Sequence, residues 1–268
     1  LDAENKMTSW EAINCGDSVL GFGADDPLSA QGLRELAYGI PNQKIRHVYQ
    51  DSHVPTGYWR SIGHSQNTFF AESFIDEMAH LAERDPVELR RQLLADEPRI
   101  LNVLNRAVEL GRWGNPKTPG ASQGVAICVD YESILAVVCE ASVDPESLAV
   151  TVHRMSAAVD CGIAIQPTGV RAQVEGGLLF GLSAALCEEV TFVAGQTVQS
   201  NFFDYPILQP SAVPEIDVEI IASAEAPGGM GEIAVGPAGP ALSNAIFAAS
   251  GIRCRSLPLK AALRDSAG

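Results

Sequence analysis

The chain has 268 residues, 46% of them hydrophobic, and its 33 acidic against 18 basic side chains give a net charge of −15. That length can bury about three quarters of the unfolded chain's surface, so a folded core is expected. The charge argues against nucleic acid, because phosphate binding needs clustered Lys and Arg, and the lack of an apolar run of about 18 residues argues against a membrane span.

Residues up to about Pro55 read as irregular, with 37–42 an extended piece ending in a turn. Phe70, Phe74, Met78 and Ala82 recur every four residues beside Ala71, Ile75 and Ala79, with Glu72, Asp76, Glu77 and His80 between them. The spacing predicts an amphipathic helix whose apolar stripe is buried, with His80 solvated. Asp85, Pro86 and Glu88 are spaced as the N-cap, N1 and N3 residues of a second helix running through Leu94. A third helix is expected from about Pro98 to Leu110, and 111–121, rich in Gly, Pro and Lys, reads as a linker. Beyond it, 124–129, 134–143 and 150–159 are rich in Val, Ile and Ala and read as strands of a partly buried sheet. The expected architecture is α+β, with a helical and irregular lobe over 1–115 and a β-rich lobe over 116–268.

Residues 170–186 read as a helix with two unlike faces. Val170, Val174, Leu178 and Leu182 form an apolar stripe, while Gln173, Gly177 and Gly181, with Gly176 beside them, place an amide above a strip without side chains. Glycine inside a helix costs about 1 kcal/mol against alanine, so a compensating close contact is expected, with another backbone or with a ligand. Earlier in the chain, Gly57 and Gly63 bracket Tyr58, Trp59 and Arg60, leaving main-chain amides and a guanidinium able to hold an anion; Arg60 can equally be a surface ion-pair partner. Residues 195–214 hold Phe202, Phe203 and Tyr205 with little periodicity, as in a loop that shapes substrate access, packs on the surface or meets another subunit.

Pro227-Gly228-Gly229-Met230-Gly231-Glu232 puts a carboxylate at the tip of a glycine-rich turn, and Gly239-Pro240 then opens a small-residue helix that ends at Gly251. Glu232 is either a solvated turn residue or a catalytic base. No Lys-Ser/Thr follows these glycines, so they do not form a phosphate loop, and they lack dinucleotide-binding spacing.

Three ordered segments carry a family resemblance: Thr56-Gly57-Tyr58-Trp59-Arg60-Ser61-Ile62-Gly63-His64-Ser65-Gln66-Asn67; Asp160-Cys161-Gly162 running on to Gln173-Val174-Glu175-Gly176-Gly177; and Gly228-Gly229-Met230-Gly231-Glu232. Together they resemble the later half of the molybdenum-cofactor subunit of the xanthine oxidase family of molybdenum hydroxylases. The nearest branch is that of isoquinoline 1-oxidoreductase and related bacterial aldehyde dehydrogenases. Where the family typically reads Phe-Arg-Gly, this chain has Trp59-Arg60-Ser61.

The resemblance implies a chain that binds molybdopterin with Mo, in the plain or the cytosine dinucleotide form, through Gly57, Tyr58, Trp59, Arg60, Gln66, Gln173 and Gly231. It implies Glu232 as the base in the oxidation of an aldehyde or N-heterocycle with water-derived oxygen, no protein side chain as a metal ligand, and His64 as a packing or supporting residue. A non-catalytic scaffold subunit of such a complex is the competing reading. Cys15, Cys128, Cys139, Cys161, Cys187 and Cys254 form no C-x-x-C pair, so most read as buried thiols, although the even count would also allow disulfides. Without closely spaced thiolates the chain is not expected to hold an iron–sulfur cluster, and the resemblance implies that electrons leave through 2Fe–2S clusters on a partner iron–sulfur subunit, with an FAD or cytochrome subunit as a further partner. The family's earlier glycine- and phenylalanine-rich loop and earlier glutamine have no counterpart here. The expected partner is accordingly an N-terminal half of the molybdenum subunit, whether this chain is a separate subunit, a processed product or a fragment. Leu1 in place of Met agrees with that. Both a cytoplasmic and an exported, periplasmic complex fit this reading.

Overall fold

A computed structural model of the chain describes residues 1–19, 26–52 and 54–267. It begins with two parallel strands, β1 (Ser9–Gly16) and β2 (Asn42–Tyr49), Ser9 facing Asn42. The sequence predicts irregular structure here. β1 alternates in burial, but Asn14 and Gly16 continue the inner face of Trp10 and Ala12 while Ile13 and Cys15 face out, and β2 is mostly exposed, Val48 included, so the apolar alternation that marks a half-buried strand is faint.

Three helices follow: α1 (His64–Leu81), α2 (Pro86–Leu93) and α3 (Pro98–Leu110). The Asp85 carboxylate caps α2 by accepting from the Val87 and Glu88 amides, while Glu88 pairs with Arg91 instead of reaching back. In α1 the predicted faces are partly exchanged. Ala71, Ile75 and Ala79 are buried, but Phe70 and Phe74 are exposed, and Glu72 and Asp76 lie inside. The reason is ionic: Arg90 binds Glu72 at 2.9 Å and Arg253 binds Asp76 at 2.8 Å, so both carboxylates enter the core with their countercharges. His80 is exposed as predicted and lies edge-on to Phe247.

The centre of the molecule is a sheet. Strands β3 (Ser122–Asp130), β4 (Ser133–Val143) and β5 (Val150–Asp160) pair antiparallel. Helix α4 (Pro167–Cys187) leaves β5, the small hairpin β6 (Phe192–Val193) and β7 (Gln196–Thr197) follows, and β8 (Glu215–Ile220) returns parallel to β5. Helices α5 (Ala238–Ser250) and α6 (Leu259–Ala267) complete the chain. Gly251 ends α5 in the left-handed conformation, φ 74°.

The sheet is covered on both faces, which is why β4 reads as a nearly continuous apolar run. Val125, Ile127, Ala136, Val138 and Ala158 pack with the side chains of α1, α2 and α3. Ala126, Leu135, Val137, Ala157 and Val159 pack with α4, α5 and α6, where the predicted stripe Val170, Val174, Leu178 and Leu182 is buried. The fold is therefore α+β, helices on either side of a mixed sheet. Among the described residues no helix is long and apolar enough to cross a membrane.

Candidate active site

Glu232 lies on the segment between β8 and α5, and that segment is held at both of its approaches to the sheet. Gly228 donates its amide to the Cys161 carbonyl (2.8 Å), just beyond β5, and Gly229 donates to the Tyr131 carbonyl (2.7 Å), in the turn between β3 and β4. These contacts require glycine. A Cβ on Gly228 would stand 2.4 Å from Ser133 Oγ and 2.8 Å from the Glu132 carbonyl, and one on Gly229 would stand 2.9 Å from Tyr131 Cβ. At Gly231 nothing lies within 4 Å of the same position, so the loop is packed where it meets the sheet and open beside its carboxylate.

Helix α4 supports the far side of the same segment. A Cβ on Gly177 would meet Ala234 Cβ at 2.7 Å, and one on Gly181 would meet the Val235 carbonyl oxygen at 2.3 Å. The close contact expected of these two glycines is thus with the protein itself, directly after Glu232. Gly176, one residue around the helix, has open space instead.

Arg60 joins the three sequence segments. Its Nε donates to the Gly231 carbonyl (2.7 Å), and its Nη2 donates to Gln173 Oε1 (2.9 Å) and, at 3.4 Å, to the Gln173 carbonyl. Trp59 lies against Phe180, ring centroids 4.7 Å apart, and the Arg60 guanidinium is 5.8 Å from the same ring. The turn that presents Arg60 is unusual, with Ser61 at φ 80° and Ile62 at φ 47°, both in the left-handed region. The backbone at Ser61 has the conformation that a glycine adopts without cost, so the departure from Phe-Arg-Gly leaves a glycine-like turn in place. Gly63 then lets α1 start against residue 28, where a Cβ would fall 2.2 Å from the Leu28 carbonyl oxygen.

Trp59, Arg60, Gln173, Gly231 and Glu232 are therefore brought together by packing and hydrogen bonds. Gly57 and Tyr58 lie on an exposed stretch, Tyr58 72% exposed and Gly57 with open space at its Cβ position. Gln66 sits in the first turn of α1, its Oε1 accepting from Ser65 Oγ, and lines a cleft of about 210 Å³ with Trp59, Gly181, Gly236, Gly239 and Leu257.

Two groups absent from the sequence expectations border this cluster. Phe180 is seven residues beyond Gln173, hence on the same face of α4, and helical spacing alone could have found it. Tyr131 carried no such signal. Its hydroxyl is shielded from solvent without a hydrogen bond of ordinary geometry and faces Glu232 and Gln31. Burial first, then the Glu232 and Asp130 carboxylates, push its ionisation well above that of an ordinary phenol, while Gln31 acts weakly the other way. Behind it, Asp130 accepts from Gln31 Nε2 (2.7 Å) and stands 2.8 Å from His64 Nε2, close but not aligned as a hydrogen bond. Burial opposes charge on His64, yet the Cys128 sulfur and the Asp130 carboxylate outweigh it and raise the imidazole pKa to about 10. His64 is a buried supporting residue.

The residues present fit a flat, anionic heterocycle. Arg60 Nη1 and Gln173 Nε2 make no hydrogen bond among the described residues, and Trp59 and Phe180 offer an apolar flank. Gly57, Gly176 and Gly231, close in the chain to Arg60, Gln173 and Glu232, each leave space that a Cβ would fill. Donors beside unfilled glycine surface are what a pterin with its phosphate arm requires.

Residues 10–94 and 111–214 each match a family described as a molybdopterin cofactor-binding domain. The chain is 35% identical over 232 residues to isoquinoline 1-oxidoreductase subunit beta of Brevundimonas diminuta, covering 85% of this chain and 30% of that protein. It is 32% identical over 225 residues to the membrane-bound aldehyde dehydrogenase (pyrroloquinoline-quinone) of Gluconacetobacter polyoxogenes, covering 77% of this chain and 29% of that protein. The chain thus spans about a third of the length of these relatives. Quinoline 2-oxidoreductase from Pseudomonas putida 86 shares the fold, with a TM-score of 0.81 over 99% of this chain and 60% of that one at 14% identity. The chain belongs to the xanthine oxidase family of molybdenum hydroxylases, in its molybdopterin-binding subunit.

Proposed function

We propose that this chain forms part of the molybdenum site of a hydroxylase that oxidises an aldehyde or an N-heterocycle with oxygen from water, Glu232 serving as the base. The observation that carries the proposal is the Arg60 bridge from Gly231 to Gln173, which sets the loop of the carboxylate beside the amide of α4. The names of the relatives, an isoquinoline oxidoreductase and an aldehyde dehydrogenase, support the two substrate classes. In this reading the lobe of residues 1–115 contributes Trp59 and Arg60, and the lobe of 116–268 contributes Gln173 and Glu232.

When bound, the molybdopterin cofactor, in its plain or cytosine dinucleotide form, supplies the oxidising centre that takes two electrons from substrate. Arg60 Nη1 and Gln173 Nε2 are the free donors for its ring and phosphate oxygens, with the main chain at Gly57, Tyr58 and Gly231 available around them and Gln66 at the neighbouring cleft. Substrate oxidation balances as R–H plus water giving R–OH, two protons and two electrons. Glu232 accepts the proton released as the water oxygen adds to the electron-poor carbon, and the carboxylate is kept in place by the glycine contacts with Tyr131, Cys161 and α4. The electrons pass to 2Fe–2S clusters of an iron–sulfur subunit and on to an FAD or cytochrome partner. An N-terminal half of the molybdenum subunit closes the pocket over the open glycine surface.

The test is Glu232→Gln in the natively purified complex. Molybdenum content should match the wild type while aldehyde- or heterocycle-dependent dye reduction falls at least ~10²-fold. Undiminished reduction would rule out Glu232 as the base. No molybdenum in an intact wild-type complex would leave the scaffold reading in its place.

A further inference from the structure

We infer that Tyr131 is a positioning residue for the Glu232 carboxylate, its hydroxyl donating a hydrogen bond that holds the base in line during turnover. The inference rests on the reading of Glu232 as the base.

The placement of Tyr131 is costly and specific. It occupies the two-residue turn between β3 and β4, where Asp130 pairs with Ser133, and both central residues are left-handed, Tyr131 at φ 53° and Glu132 at φ 62°. Such turns favour Asn-Gly or Gly-Gly, so a tyrosine followed by a glutamate is a strained choice. The turn is then clasped by the loop of the base: Gly229 donates to the Tyr131 carbonyl, and Gly228 and Gly229 are glycines because Glu132, Ser133 and Tyr131 stand where their side chains would be. Turn and loop therefore move as one body, three residues from Glu232.

The phenol oxygen of Tyr131 is shielded from water and closes no hydrogen bond of ordinary geometry in this conformation, although it faces the Glu232 carboxylate and the Gln31 amide. A buried hydroxyl without a partner is unfavourable, and a hydrogen bond to the half-buried Glu232 carboxylate relieves that cost. The charged groups around the phenol are Glu232 from the loop and Asp130 from β3, the latter engaged by His64 and Gln31. Asp130 is thus committed elsewhere, which leaves the Glu232 carboxylate and the unpartnered Gln31 Oε1 as acceptors for the hydroxyl, and the charged one is the stronger.

Two measurements on the natively purified complex test this. Tyr131→Phe keeps the ring and removes only the oxygen; kcat should fall by about ten- to a hundredfold, the range for one hydrogen bond to a charged group, with KM and molybdenum content unchanged. Independently of activity, 3,5-difluorotyrosine at position 131 gives a more acidic phenol that this site still holds above its free value, and its absorbance titration should move down by about one unit or more when Glu232→Gln is added. Unchanged kcat in Tyr131→Phe, or a titration indifferent to Glu232→Gln, would overturn the inference. If Glu232→Gln itself retains full activity, the base reading fails instead, and the titration still reports whether the two side chains are in contact.

Discussion

Two arginines, Arg90 and Arg60, perform the same task in different surroundings. Each ties a helix to a distant segment, but Arg90 is fully buried with all its arms engaged: Nε and Nη2 on Glu72, Nε also on Tyr38 Oη at 3.0 Å, and Nη1 on the Pro86 carbonyl. The Glu72 carboxylate is likewise saturated, accepting from Tyr38 Oη at 2.7 Å and the Ile127 amide at 3.1 Å. Arg60 is partly exposed, binds the Gly231 and Gln173 carbonyls and the Gln173 side-chain amide, and makes no hydrogen bond through Nη1 among the described residues. A guanidinium closed on all sides by protein is structural. One fixed by Gly231 and Gln173 with a donor to spare is what the proposed cofactor site calls for.

The contrast can be broken by parallel substitutions. Arg90→Met strands Glu72 as a buried charge and should cost about 3–5 kcal/mol, read as a large fall in the thermal midpoint of the complex. Arg60→Met, at a partly solvated site with no carboxylate partner among the described residues, should cost under about 1 kcal/mol in the same measurement. Equal losses would mean that Arg60 is also a structural tie. A smaller effect sharpens the picture at the turn before α1: Ser61→Gly removes the left-handed penalty and a buried hydroxyl without a partner, and should raise stability by about 1 kcal/mol with cofactor content unchanged. A loss of stability there would show that the serine oxygen has a role in the turn.

What could be read from the sequence was whatever depends on neighbours within one element. Asp85 and Pro86 announce α2, the Val and Ile runs announce β3 to β5, and the stripe of Val170, Val174, Leu178 and Leu182 announces the buried face of α4. Features that depend on a partner far along the chain were not legible. Glu72 and Asp76 look like solvent-facing residues until Arg90 and Arg253 arrive from 18 and 177 residues away, and Phe70 and Phe74 look buried for the same reason. β1 and β2 stayed hidden because β2 is mostly exposed and the inner face of β1 mixes Trp10 and Ala12 with Asn14 and Gly16.

The candidate site divides in the same way. Arg60, Gln173 and Glu232 were visible as motif residues, while their connection through Gly231 is a tertiary fact. Glycine 177 and glycine 181 signalled a close contact, but only the fold identifies it as Ala234 and Val235. Tyr131 gave no signal, since a tyrosine between two strands resembles any other turn residue until the loop of Glu232 folds over it.

The most direct measurement is the molybdenum and pterin content of the natively purified complex carrying wild-type chain, Arg60→Met or Gln173→Ala. Cofactor present in the wild type and reduced at least ~10-fold in both variants, with thermal midpoints nearly unchanged, is the predicted result. Full cofactor content in both variants, or none in the intact wild-type complex, would contradict the assignment of this surface to the pterin.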